Sequence, residues 1–323
     1  IVVLYFAVQL LAAFMSPFPA LSMASLQMLA VYTLLFFVAV DVIDRPEDLT
    51  PILVVACLAM GLSSLYAMAQ KIGVDPFPWA DRTAPEYLEL PATFGNGNLA
   101  AHMIGPAIVI AIYLTRLPKL RGLLLLLPLY LLHLYWTKQR GAWVGLSAGL
   151  LLGIVFYLAQ YRFNESRKRV AATLVVMMLV GGSLTLGIAA LAWIATGTPV
   201  PLDHALMLRY SGFDGAAEMI REKPLLGWGP GNYPLFNPLF WTEYEQEYFA
   251  VRNSMNFHVH NEWLQAALDA GVAAAGLYLL LVISTVVVGL TLAAHDCDPA
   301  RRRFGLMVAV LSCVVGVDGM TGF

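Results

Sequence analysis

Two histidines, an asparagine and a glutamate fall within five residues, His258 to Glu262, inside the stretch FHVHNEWLQAALDAG (257–271). Asn261 is a good helix N-cap, and Leu264, Ala267 and Leu268 form the apolar stripe of the helix that follows. His260 then stands at a helix N-terminus, where the positive end of the dipole disfavours imidazolium. A neutral histidine in that place is a competent general base. Two further readings stand beside it. One is a histidine hydrogen-bonded within the cap. The other is a metal site through His258, His260 and Glu262, although their spacing matches no strong metal motif.

Anion chemistry has its own candidates. Arg140 lies in YWTKQRGAWVGL (135–146), at the mouth of an apolar run. Its guanidinium is either a fork aimed at a phosphate or a snorkelling charge in a belt with Tyr135, Trp136 and Trp143. Arg209 precedes a helix whose start is read from a capping box, Ser211 with Asp214. Phe213, Ala216, Ala217 and Ile220 share its apolar face, and Pro224 ends it. Arg82 is a solvated charge or a phosphate ligand. In ATFGNGNLAAHMIGP (92–106), Asn98 caps the next helix and leaves backbone N–H groups pointing outward. That arrangement serves an anion or is an ordinary helix entry. His102 sits inside a span and packs against its neighbours. GWGPGN (227–232) echoes a phosphate loop, but no strand precedes it and no helix opens after it, so it reads as a rigid turn.

These residues must be positioned by membrane helices. Of 323 residues only 12% are charged, against about 25% in a soluble domain, and the mean hydropathy is +0.72. Apolar runs reach the roughly 20 residues needed to cross a bilayer. They lack the alternation of a membrane β-barrel. Spans are expected at 1–15, 22–43, 51–70, 98–115, 119–136, 141–161, 170–196 and 271–294, with a ninth beginning near 304. The fold class is all-α and polytopic, with nine or more transmembrane helices and a large external loop, 197–270, containing short helices. The basic segments RLPKLR (116–121), RFNESRKR (162–169) and DPARRRF (298–304) fall on alternate connections and set the cytoplasmic side. Every motif above then lies on the opposite face. The net charge of −2 indicates no partner, no basic aromatic cluster tracks nucleic acid, and the three cysteines suggest no disulfide framework. A start at Ile1 and a stop at Phe323, both within apolar runs, read as a piece of a longer protein.

Taken in order, TFGNGN (93–98), QRGAWVGL (139–146), AAEMIREKPLLGWGPGNY (216–233) and HNEWLQAALDAGVAAAGLYLLL (260–281) resemble the O-antigen ligase and polymerase superfamily of bacterial envelope glycosyltransferases. The resemblance covers about 90–290. It departs from the family pattern at Gln139, where Ser is common, and at Gly97, where Pro is common. Both departures keep Arg140 and Asn98. The resemblance divides the chain into N-terminal helices with the first external loop (1–89), a ligase-like core (90–290) and the start of a C-terminal membrane region (291–323).

What the resemblance implies is a periplasmic loop capping a cavity open to the bilayer of the inner membrane. Undecaprenyl diphosphate carries the donor glycan there, and lipid A-core, a growing glycan or a protein hydroxyl accepts it. No nucleotide sugar or cofactor is implied and, as in the ligases, no metal. Arg140 and Arg209, with Arg82 third, hold the diphosphate. His260 takes the proton, and Asn98, Asn261, His258 and Glu262 support it. A repeat-unit polymerase or a protein O-oligosaccharyltransferase shares this donor site. A lipid-linked glycan transporter is the reading from another class. It is disfavoured because no internal repeat is visible and charges inside spans are rare, Asp318 excepted.

Overall fold

The computed structural model describes residues 1–79, 82, 85–160, 204–252 and 255–320. The expected span 170–196 and the basic stretch 162–169 lie outside the described residues. The protein is an all-helical, polytopic membrane protein. Helices α1 (Val2–Phe14), α2 (Pro19–Val42) and α3 (Thr50–Lys71) come first, followed by the short α4 (Pro85–Leu88) and then α5 (Gly97–Leu114), α6 (Leu126–Trp136) and α7 (Arg140–Gln160). After the segment not described come α8 (His204–Glu222), α9 (Tyr233–Phe236) and α10 (Glu243–Arg252), then α11 (Glu262–His295) and α12 (Pro299–Asp318).

Among the described residues five helices are long and apolar enough to cross a membrane: Pro19–Val42, Pro46–Lys71, Gly97–Leu114, Arg140–Ala159 and Glu262–His295. The other expected spans are not among these five, and where they lie within the described residues the reasons are local. Helix α1 has only 13 residues. The run 119–136 begins as a 3₁₀ turn, Pro118–Leu125, and becomes α-helical only at Leu126. Pro128 lacks an N–H and is accommodated best in the first turn of an α-helix, which is where it falls in α6. Helix α12 carries Arg301, Arg302 and Arg303 near its start.

Helix α12 is the hub of the bundle. Gly145, Gly149 and Gly153 of α7 face it: a Cβ on Gly149 would lie 2.8 Å from Val310 O, and one on Gly145 2.8 Å from Asp318 Cβ. On its other side α11 crosses at Gly289 and Gly305, where a Cβ on either would meet the other's carbonyl oxygen at 2.7 or 2.6 Å. Small residues let membrane helices approach closely and gain dispersion energy that apolar bulk cannot supply in lipid. Helix α5 closes the core through Ile104, Ala107 and Ile108 beside Val310 and Val314.

The connections sort to two ends of this bundle. At one end Arg116 lies within electrostatic reach of Glu47 and Arg303, and Arg302 Nε donates to Ala293 O at 3.1 Å. The basic loops therefore meet. At the other end lie the starts of α2, α5, α7 and α11 and the end of α12.

Loop 71–97, also at that second end, is built around Asp75. Its carboxylate accepts hydrogen bonds from Tyr66 Oη (2.8 Å), Phe77 N (3.0 Å), Gln70 Nε2 (3.2 Å) and Tyr87 Oη (3.2 Å). Desolvation pushes the carboxyl up, but these donors outweigh it and hold it below the ordinary 3.8. A depressed pKa contributes stability above the unfolded value, lost as pH falls through the folded one. Opening of 85–97, read as amide exchange relative to the intrinsic rate at each pH, is expected to accelerate as pH drops below about 4. In Asp75→Asn it should be faster at neutral pH and should lack that step.

Candidate active site

The cap over the bundle end has its own core. Ala216 and Met219 of α8, Trp228, Tyr233, Val259 and Leu268 are buried together. Trp228 anchors it: Nε1 donates to Met219 O at 3.0 Å, Phe236 packs at 4.6 Å, and Lys223 Nζ lies 4.0 Å from the ring centroid. Helix α8 begins at His204, so Ser211 is mid-helix and the expected Ser211–Asp214 capping box does not form. Arg209 is half-buried in the second turn of α8 and does not precede it. The box that forms is Thr242 with Glu245 at the head of α10, with Thr242 N donating to Glu245 Oε2 at 3.1 Å and Glu245 N to Thr242 Oγ1 at 3.3 Å. Burial raises the Glu245 carboxyl, against the hydrogen bonds from Thr242 and Ser211.

The turn GWGPG proves to be a clasp. Helix α11 breaks at Ala270 and Gly271, where Gly271 has φ 80° and ψ 176°. The break orphans the last carbonyls of the first segment and the first N–H groups of the second. Trp228 N donates to Leu268 O (2.7 Å) and Gly229 N to Asp269 O (3.0 Å), while Val272 N donates to Pro224 O (2.8 Å). The cap thereby fixes the short segment 262–269, which carries the head of the site. That backbone region is open essentially to glycine alone, and a Cβ on Gly271 would clash with Leu225 O. Gly271→Ala should destabilise the protein by on the order of 3 kcal/mol. Thermal unfolding in detergent reads this as a clear drop in midpoint.

Asn261 is the N-cap of α11. Its Oδ1 accepts from Trp263 N at 3.0 Å and Leu264 N at 3.1 Å. His260, just before it, is half-buried with φ 58°. Histidine enters this left-handed region more readily than most residues, and such outliers collect at functional sites. His258 is exposed, whereas Val259 is buried and its N–H donates to Gln265 Oε1 at 3.1 Å. Glu262 opens the helix, its N–H donating to Gly319 O at 2.8 Å. Trp263 Nε1 donates to Gly316 O (3.1 Å) and Asn261 Nδ2 to Met320 O (2.9 Å). The carbonyls that end α12 therefore hold the head of α11. Among the described residues no three His, Cys, Asp or Glu side chains are grouped to hold a metal ion.

Arg140 is the first residue of α7 and is exposed. The turn before it has Lys138 at φ 58°, and Gln139 Nε2 donates to Glu89 Oε2 at 3.2 Å. Arg82 is exposed and its Nη2 donates to Asp75 O and Phe77 O, both at 3.0 Å. It braces its own loop. Asn98 is not the cap of α5. That role belongs to Asn96, whose Oδ1 accepts from Asn98 N at 2.7 Å. The Asn98 Oδ1 atom is buried and makes no hydrogen bond among the described residues.

Sequence reasoning missed the partner of His102. The ring does not merely pack: Nδ1–H donates to Asp318 Oδ2 at 2.5 Å, across 216 residues of chain. Asp318 is the last residue of α12, at the bundle end and not within the span. His133, by contrast, is a satisfied core histidine between Ser64 Oγ and Leu90 O, both at 3.0 Å.

An O-antigen ligase family model matches residues 122–279, which include Arg140, Arg209 and the whole His258–Glu262 cluster. No curated protein matches the chain.

Proposed function

We propose, from the premise that this chain belongs to the O-antigen ligase and polymerase superfamily through its domain at residues 122–279, that it is a membrane glycosyltransferase. It moves a glycan from undecaprenyl diphosphate to an acceptor hydroxyl on the periplasmic face of the bacterial inner membrane. The observation that carries the reading is that one family domain contains two arginines and a histidine cluster. In support, the heads of α7 and α11 both abut the end of α12. The lipid-linked donor presents its diphosphate at the membrane surface, which is where such a bundle end lies.

The chemistry needs two things from the protein. Arg140 and Arg209 bind the diphosphate and stabilise the charge that grows on it as it leaves. Arg82 contributes less, since its guanidinium is engaged by loop carbonyls. The acceptor oxygen attacks the anomeric carbon from the face opposite the phosphate. The C–O bond to phosphate breaks, its electron pair stays with the lipid diphosphate, and the acceptor proton passes to His260. One displacement inverts the anomeric configuration, and neither a metal nor a nucleotide takes part. Asn261 and Glu262 hold His260 at the head of α11, and His258 is peripheral.

The test offers lipid A-core and a Ser-rich peptide separately to the full-length protein with an undecaprenyl-diphosphate glycan and a chelator. Product on lipid A-core makes it a ligase, product on peptide a protein O-oligosaccharyltransferase, and a lengthened donor a polymerase. No product from folded protein would sink the proposal.

A further inference from the structure

Asp318 is 4% exposed, and no step of the transfer above uses it or His102. A carboxylate buried at a helix junction is costly unless paired. The surroundings of this pair are specific. The backbone of α7 presses on Asp318 at Gly145, five residues past Arg140. The carbonyls of Gly316, Gly319 and Met320, which flank Asp318, accept from Trp263, Glu262 and Asn261. Glu262 is also within electrostatic reach of His102. A single turn thus touches the helix of Arg140 and the segment that begins with His260, and His102 is its tether to α5.

We infer that His102 is a positioning residue of the transfer site: through Asp318 it fixes the last turn of α12, which sets the His260 segment against the head of α7. The inference rests on the proposed function. Displacing a reacting group by about 1 Å can cost 100-fold in rate. Losing the tether should therefore lower turnover more than donor binding.

Asparagine suits the test because its Nδ2 can take the place of the imidazole Nδ1–H donor, yet it does not titrate. Full-length protein in nanodiscs, with an undecaprenyl-diphosphate glycan and whichever acceptor the wild type uses, would be compared as wild type, His102→Leu, His102→Asn and Asp318→Asn. His102→Leu and Asp318→Asn are expected to lower kcat roughly 10–100-fold, with donor KM within about threefold of wild type. His102→Asn should recover kcat to within about threefold and keep the wild-type pH profile. Wild-type turnover by His102→Leu would overturn the inference and leave the proposed function standing. So would a His102→Asn protein that folds but is as slow as His102→Leu, or that loses a limb of the pH profile, since His102 would then titrate in the reaction. A wild type that transfers to no acceptor would remove the function and this inference together.

Discussion

Replacing His260 should abolish most transfer while leaving the fold in place. The expected loss in kcat is ~10²–10⁴-fold, the usual worth of a positioned general base. Alanine is the obvious variant, but His260 sits at φ 58°, and alanine tolerates that backbone less well than histidine. His260→Asn is cleaner. Asparagine enters the left-handed region readily and cannot take a proton at neutral pH. Both variants should keep the Asn261 cap, because that cap is made by side chain 261 and the N–H groups of Trp263 and Leu264. The unfolding midpoint should therefore move little. His258→Ala is the control: the residue is exposed, and its loss should cost no more than a few-fold in rate. Equal losses at 258 and 260, with activity restored by zinc, would replace the base with a metal site.

The same segment shows how far the sequence could be read. The expected spans 22–43, 51–70, 98–115 and 141–161 fall within a few residues of α2, α3, α5 and α7. A long apolar run is a one-dimensional signal and needs no partner to be recognised. The N-cap at Asn261 was legible for a similar reason, since the cap bonds to its own next turn. Capping boxes are local too, but their four-residue signature recurs by chance. Ser211 with Asp214 has the signature inside a helix, whereas Thr242 with Glu245 has it at a helix start. Only the packing of α8 against the cap decides between them. The clasp was half legible. Gly227, Gly229 and Gly231 announce a turn, and all three have positive φ. Nothing local says that the turn would stitch a break in a helix some 40 residues on. The His102–Asp318 contact lies beyond any local signal, because its partners are 216 residues apart and each looks like an isolated polar residue in an apolar run.

Arg140→Ala is expected to lower kcat/KM by ~10²–10³-fold, the cost of removing one preorganised charge donor from a leaving group. Its effect on stability should be small by comparison. Arg140 is exposed at the N-terminal end of α7, where a cation opposes the helix dipole by about 0.3–1 kcal/mol. Removing it trades that unfavourable interaction against the side chain's own contacts, so the net change in stability should be small. The turn that presents it is held by Gln139 on Glu89. Arg140→Lys separates the two readings of this residue. A snorkelling anchor needs only a long stem and a charge, which lysine supplies. A diphosphate ligand needs the planar fork, which lysine lacks. Wild-type transfer by the lysine variant would assign Arg140 to the membrane interface. A loss of roughly tenfold or more in Arg140→Lys, with a still larger loss in Arg140→Ala and little change in melting temperature, would assign it to the donor. An arginine at the N-terminal end of α7, where the helix dipole opposes it, is suited to an anion held at the head of that helix.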